Sequence, residues 1–166
     1  MNTFQENMLE YQAQLEKGKI QLAYKGLMEY LSALRSDFAR EYPQFELPGA
    51  LYFGYMDMSY FAIVPPLFKP HKLKIAVVFL HQEFRFEVWL SGVNRQVQNE
   101  CWQRIKESGW NRYPLVAKIQ GSDAIIEHIL VENPNFDERT ALTNTLCAGT
   151  AQFIAEIEDL ILKLDV

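Results

Sequence analysis

Side chains that could bind a ligand recur at alternate positions of two adjacent segments of the chain. These side chains are Lys74, Arg85, Glu87 and Trp89. Alternate residues of a β-strand point to the same face of a sheet, so two paired strands would gather all four on one surface. Trp89 could anchor a ligand by its large ring, and the planar guanidinium of Arg85 suits an anionic group. We therefore predict a binding surface here, and the alternative is an ordinary solvated sheet face with surface ion pairs.

Three carboxylates form a second candidate set: Asp57, Glu83 and Glu87. Carboxylate oxygens bind divalent cations such as Mg²⁺, and a bound cation can activate water for hydrolysis of a phosphodiester. This set defines an alternative function, a divalent-metal-dependent nuclease-like enzyme with these three as its catalytic residues. Asp57 also has a purely structural interpretation, because an aspartate at a bend often accepts hydrogen bonds from neighbouring backbone amides.

The remaining reactive residue types show no catalytic or metal-binding pattern. The three histidines lack ligand spacing with one another, and the two cysteines form no Cys-x-x-Cys motif. These residues are His71, His81, His128, Cys101 and Cys147. The sequence has no glycine-rich phosphate-binding loop and no Gly-x-Ser-x-Gly motif. We therefore predict neither a metal site nor a cofactor.

The candidate binding surface depends on a β-hairpin, which the alternating apolar residues of 73–90 predict. If Leu80 opposes Glu83 across the connection, one sheet face becomes wholly apolar. Lys74 then lies opposite Trp89 on the other face, where a cation–π contact could form. A shift by one residue would bring polar side chains among the apolar ones, so we expect the register to be held firmly.

Periodicity predicts the elements that flank this hairpin. Apolar residues recur at helical intervals through most of the N-terminal and C-terminal segments. Residues that favour β-structure cluster in the middle of the chain. In order, the predicted elements are a helix over 4–41 interrupted near Gly18, a strand within 51–64, the hairpin, a helix over 93–108, a weaker strand over 115–119, a short helix over 122–131 and a helix over 137–164.

Strands clustered mid-chain and joined by short turns predict an α+β fold. We expect a central antiparallel sheet of three to four strands, helices packed on one face, and long N- and C-terminal helices. A chain of 166 residues fits a single domain, here 1–166, and can bury a core without metal or disulfide support.

Charge and composition narrow the class of partner. The net charge of −5 argues against a nucleic acid as partner, because phosphate neutralisation needs a basic surface. The sequence has no apolar run long enough to cross a membrane and no apolar signal segment, so we expect a cytoplasmic protein with reduced cysteines. Its partner is then an unknown small molecule or a protein, and the protein could form a homo-oligomer, such as a homodimer that uses the predicted binding surface.

Three stretches carry a resemblance to a known group of proteins: 54–61, 73–98 and 129–134. Their sequences resemble a family of small, uncharacterised bacterial proteins, a domain of unknown function. The resemblance covers nearly the whole chain, and it implies a compact, stand-alone protein of bacterial type. It implies no activity and identifies no site residue.

The predicted element order is also similar to the core of restriction-endonuclease-like nucleases, which runs helix, three strands, helix, strand. In that comparison Asp57 and Glu83 would hold a divalent metal, and Arg85 stands where those enzymes usually have a lysine. Asp57 falls on the first predicted strand rather than on the second. The similarity concerns topology alone, and topology is weak evidence for function.

Overall fold

The computed structural model describes residues 2–165. The α-helices within this range are α1 (Phe4–Glu16), α2 (Lys19–Glu41), α3 (Arg95–Ser108) and α4 (Arg139–Leu164). The strands are β1 (Met58–Ile63), β2 (Leu73–Leu80), β3 (Arg85–Gly92) and β4 (Ile126–Glu132). One short 3-10 turn, Pro66–Phe68, connects β1 to β2.

The four strands form one sheet in the order β1-β2-β3-β4, and every neighbouring pair is antiparallel. Helices α2, α3 and α4 contribute to a single large core against one sheet face. The fully buried residues of this core include Leu31, Leu34, Phe38, Phe61, Ile75, Val77, Phe86, Leu90, Ile105, Phe153 and Ile157. The predicted α+β fold, with its antiparallel sheet and long terminal helices, is confirmed.

The hairpin forms, but its register differs from the predicted one by two residues. Leu80 pairs with Arg85 rather than with Glu83, and a four-residue connection, 81–84, joins the strands. A two-residue shift keeps each side chain on its face, so alternation alone could not distinguish the two registers. Lys74 therefore pairs with Ser91 instead of Trp89, and within residues 2–165 no cation–π contact joins Lys74 to Trp89. The predicted contact was wrong.

The region 122–131 is where the prediction of secondary structure failed. A helix was expected there, but residues from Ile126 onward form β4, which pairs with β3. Residues 115–119, predicted as a strand, contribute one isolated bridge from Leu115 to Ile126. The open edge of β3 offers unpaired backbone groups, and the β-branched residues Ile126, Ile129 and Val131 favour the extended form that pairs with it.

Helix boundaries follow the local backbone signals. Gly18 adopts a left-handed conformation with φ of 71° and separates α1 from α2, close to the predicted interruption. The side chain of Asn94 accepts a hydrogen bond from the amide of Val97, so α3 begins at Arg95 rather than at residue 93. Across residues 2–165 no helix combines the length and the apolar character that a membrane span requires.

Candidate functional site

The sheet face opposite the helices carries the four side chains singled out from the sequence. Strand alternation directs Lys74, Arg85, Glu87 and Trp89 to this face. Nε of Arg85 donates to Oε1 of Glu87 at 2.8 Å, and Nη2 of the same guanidinium forms an ion pair with this oxygen at 2.7 Å. The indole Nε1 of Trp89 donates to the second oxygen, Oε2, at 2.6 Å. Glu87 therefore binds both neighbours and leaves little capacity for an external ligand.

Burial supports the same conclusion. Glu87 is 2% exposed and Trp89 is 8% exposed. Trp89 belongs to a small apolar cluster with Ala76, Val78 and Ala124, distinct from the main core. The arrangement is therefore that of an internally satisfied polar network on the sheet, with Arg85 reaching the surface near Glu132, 3.8 Å away.

The carboxylates of the alternative, nuclease-like site do not assemble into a metal centre. Asp57 precedes β1 as an exposed residue, and its carboxylate accepts a hydrogen bond from the Tyr55 amide at 2.8 Å. Backbone hydrogen bonds, first that from Tyr55, lower the pKa of Asp57. Glu83 is exposed in the hairpin connection, and Glu87 is held by its partners on the sheet. Within residues 2–165, no group of three or more His, Cys, Asp or Glu side chains could hold a metal ion.

The structure instead contains an apolar cavity at one end of the sheet, between α2 and the β2–β3 connection. Its volume is about 550 Å³, within the range of small-molecule sites. Its lining is predominantly aromatic and aliphatic, with few polar groups. The principal lining residues are Leu22, Ala23, Tyr24, Gly26, Leu27, Tyr30, Met56, Phe79, His81, Phe84, Phe136 and Arg139.

Three phenylalanines make one wall of this cavity. The ring centroids of Phe79 and Phe84 are 5.6 Å apart, and each ring lies 6.0 Å from that of Phe136. All three pairs are edge-to-face, the geometry that aromatic quadrupoles favour. Phe84 is nevertheless 46% exposed, so the wall is ordered by its own contacts while its surface stays accessible.

His81 is a half-buried polar residue of the cavity lining. Its Nε2 lies 2.9 Å from the hydroxyl of Ser59, and that hydroxyl donates to the backbone carbonyl of Phe53. A hydroxyl has one proton, so Ser59 must accept from Nε2–H, and Nδ1 remains the acceptor nitrogen of a neutral ring. Burial lowers the pKa of His81, although the charge of Asp57 partly opposes this effect. Ser59 is fully buried and its proton is directed away from His81, so the pair is not a nucleophile and its base.

Two residues at the cavity have a backbone conformation that side chains other than glycine rarely adopt. Met56 has φ of 62° and Phe84 has φ of 52°. The left-handed conformation costs roughly 1–2 kcal/mol for an L-residue. The amide of Asn133 donates to the Phe84 carbonyl at 3.1 Å and helps to hold this turn. Both turns expose a large apolar side chain at the cavity. Strained backbone of this kind is often found at functional sites of proteins.

Gly26 lines the cavity from the interior of α2, where glycine is an unfavourable residue. A glycine inside a helix costs roughly 1 kcal/mol relative to alanine. A Cβ added at Gly26 would meet no atom within 4 Å, so packing within the chain does not require glycine there. Gly149 in α4 contrasts with it, because a Cβ there would approach Leu130 Cδ2 to 2.9 Å. The absent side chain at Gly26 leaves space in the cavity itself.

Arg139 supplies the positive charge at the cavity. It is the first residue of α4, whose N-cap residue Glu138 makes no side-chain capping hydrogen bond. Within the described chain, the Arg139 guanidinium makes no hydrogen bond or ion pair, and the residue is exposed. A cation with free donors beside an apolar cavity suits a ligand with an acidic end.

Sequence reasoning missed this cavity because its lining comes from distant parts of the chain. The helix residues near 20–30 meet the hairpin connection at 81–84 and the start of α4 only in the folded protein. The one local signal was Gly26 within an otherwise regular helical pattern.

Comparison with known proteins gives one match. A family model described as a domain of unknown function, DUF7000, matches residues 4–161. No curated protein and no solved structure matches the chain.

Proposed function

The chain belongs to the DUF7000 family, and we propose that it is a non-catalytic binding protein for a small apolar or aromatic molecule with an acidic group. The ligand occupies the cavity between α2 and the β2–β3 connection. Its apolar body contacts the phenylalanine wall, and its acidic group pairs with Arg139.

Gly26 is the observation that carries this proposal. A glycine inside a helix lowers the stability of that helix, and no atom of the chain occupies the space that a side chain at this position would fill. The space opens into a cavity of about 550 Å³ whose lining is largely apolar. A ligand stacked beside α2 would account for both features.

The composition of the lining supports an aromatic or aliphatic ligand. Binding sites for small molecules are mostly apolar with a few placed polar groups that fix orientation. Here the placed groups are the Nδ1 acceptor of His81 and the guanidinium of Arg139. They lie among the rings of Tyr24 and Phe84, which can stack on a planar ligand.

Binding without catalysis is favoured by the hydrogen-bond pattern. The Ser59 hydroxyl donates to a backbone carbonyl and is buried, so His81 has no activated nucleophile beside it. On the sheet face, Glu87 is engaged by Arg85 and Trp89. The predicted surface of Lys74, Arg85, Glu87 and Trp89 is therefore a less favoured place for a ligand than the cavity.

Origin and location belong to the same proposal. The resemblance of the three stretches supports a bacterial protein. Cys101 and Cys147 are free, and Cys147 is buried, which suits a reducing cytoplasm. The net charge of −5 supports a small molecule or a protein rather than a nucleic acid as partner.

A cavity-filling variant tests the binding site. Gly26→Leu places an isobutyl group in the cavity and also improves the helix propensity of α2. We expect affinity for 1-anilinonaphthalene-8-sulfonate, a planar apolar anion, to fall at least tenfold in a fluorescence titration. The free energy of unfolding should rise by about 0.8 kcal/mol, because leucine is the better helix former.

Ser32→Leu is the matched control, since it adds the same side chain at an exposed position of the same helix. This variant should bind the probe as the unmodified protein does. Equal affinity in all three proteins would contradict the proposed cavity site, as would the absence of any saturable probe binding.

A further inference from the structure

Helix α1 is well defined by its sequence but is hardly packed. It has 13 residues and a capping box, in which the Thr3 hydroxyl accepts from the Glu6 amide and the Glu6 carboxylate accepts from the Thr3 amide. None of its residues is buried. Isolated helices of this length are marginal in water, and most helical stability comes from a packed apolar face. Apart from Leu15, which is half-buried, its apolar residues remain exposed and offer a surface for a partner.

One face of α1 has the spacing of a coiled-coil seam. Phe4, Met8, Tyr11 and Leu15 follow one another at intervals of four, three and four residues. This is the alternation of core positions in a heptad repeat, and it aligns the four side chains on one stripe. Phe4 is 80% exposed, and Met8 and Tyr11 are also exposed, while Leu15 is half-buried near α2. We call these four residues the α1 seam.

The residues flanking the α1 seam determine which partner it can accept. In a coiled coil, the flanking positions face the partner helix and set its identity by their charges. Here all four are uncharged amides: Gln5, Asn7, Gln12 and Gln14. The carboxylates of Glu6 and Glu10 lie toward the opposite side of the helix by the same periodicity. A second copy of the same helix would therefore meet no like-charge repulsion at the seam.

We propose that the α1 seam pairs with the α1 seam of a second copy and makes a homodimer. In a parallel helix pair related by a twofold axis, each apolar side chain of one seam meets its equivalent in the other. A stable interface usually buries roughly 800 Å² on each partner, and four side chains on a short helix provide less. The dimer is accordingly weak, with dissociation at micromolar concentrations of protein. The seam shares no residue with the cavity lining, so this inference stands apart from the proposed ligand.

Sedimentation velocity of the full chain between about 1 and 200 μM tests the inference, because this range covers weak self-association at micromolar concentrations. The unmodified protein should shift from monomer to dimer as its concentration rises. Met8→Glu and Tyr11→Glu each bring a charge into the seam and should leave a monomer over the whole range. Ala13→Glu adds the same charge to the opposite side of α1 and should dimerise as the unmodified protein does.

Far-UV circular dichroism and a thermal melt show that each variant is folded, because α1 contributes nothing to the core. A monomer at every concentration of the unmodified protein would overturn the inference. So would a dimer that survives Met8→Glu and Tyr11→Glu, since another surface would then hold the copies together. A dimer lost equally in Ala13→Glu would also overturn it.

Discussion

Arg139 shows how a single side chain can set the charge of a ligand. Its guanidinium lies at an apolar cavity and is free of ion pairs within residues 2–165, so its positive charge is available. A hydrogen bond between this guanidinium and an acidic ligand is charge-assisted, and such bonds are stronger than those between neutral groups. The residue should thus favour acidic ligands over neutral ones of the same shape.

Replacing Arg139 by glutamine should therefore change ligand preference more than stability. We expect affinity for 1-anilinonaphthalene-8-sulfonate to fall about five- to thirtyfold, which corresponds to about 1–2 kcal/mol for one charge-assisted hydrogen bond. Affinity for the neutral probe N-phenyl-1-naphthylamine should stay within about twofold of the unmodified protein, since the lost interaction carries charge. Fluorescence titrations with both probes make the comparison.

Arg40→Gln provides the control, because it removes the same charge from an exposed position of α2 where Arg40 pairs with Asp37. If Arg40→Gln lowers the affinity for the anionic probe as much as Arg139→Gln does, the loss of net charge explains the effect and the position of Arg139 does not. Equal losses for the anionic and neutral probes in Arg139→Gln would likewise contradict a role in charge recognition.

For the hairpin, the sequence predicted which sheet face each side chain points to, but it did not predict which hydrogen-bond partners the side chains have. Alternation correctly placed Arg85, Glu87 and Trp89 on one face. Whether a carboxylate faces solvent or its own neighbours depends on distances that alternation does not specify. The bonds from Arg85 and Trp89 to Glu87 turn a predicted binding surface into a closed network.

At the scale of elements, the turns before β1 and within the hairpin decide where the cavity opens. Gly54, with φ of 73°, and Met56 reverse the chain ahead of β1, so Asp57 caps the turn instead of lying in a strand. A Cβ at Gly54 would overlap the carbonyl oxygen of Met58 and approach the Asp57 carboxylate to 2.8 Å. Glycine is required here for both conformation and space.

Gly54→Ala should thus be strongly destabilising. We expect the free energy of unfolding to fall by about 2–3 kcal/mol, because a left-handed alanine adds strain and its methyl group displaces the start of β1. Urea denaturation followed by circular dichroism would measure the change. Gly49→Ala is the matched control: Gly49 also has a positive φ, 69°, but a Cβ there meets no atom within 4 Å.

That control should lose only about 1 kcal/mol, the conformational contribution alone. If the two variants lost equal stability, the close approach of a Cβ at Gly54 to the carbonyl oxygen of Met58 would contribute nothing to the change in the free energy of unfolding. The turn before β1 would then not be held by the contacts described above.

Among the elements, those with strong periodicity were predictable and the marginal ones were not. The helical stripes of α2 and α4 bury wide apolar faces, and their positions were close to the predicted ones. β4 was mistaken for a helix although Ile126, Ile129 and Val131 favour the extended form, which its pairing with β3 then fixes. The two-residue error in the hairpin arose because both registers keep the same faces, so alternation did not reveal the four-residue connection, in which Phe84 has a positive φ.

For the whole molecule, the fold class followed from the sequence while the cavity required the structure. An antiparallel sheet covered by helices results from the positions of the apolar faces on its helices and strands. Each of these faces can be read from a short stretch of sequence. A cavity is a gap left between elements, and its walls here come from α2, the hairpin connection and the start of α4. Nothing local in those three segments specifies the distance between them.

The most direct test of the proposed cavity is a residue-resolved titration of the ¹⁵N-labelled protein with 1-anilinonaphthalene-8-sulfonate, followed by ¹H–¹⁵N correlation spectra. We expect saturable shifts concentrated at the amides of Gly26, His81, Phe84 and Arg139, with the amide of the sheet-face residue Glu87 unaffected. Shifts centred on the sheet face, or shifts spread without saturation, would contradict a ligand site between α2 and the hairpin connection.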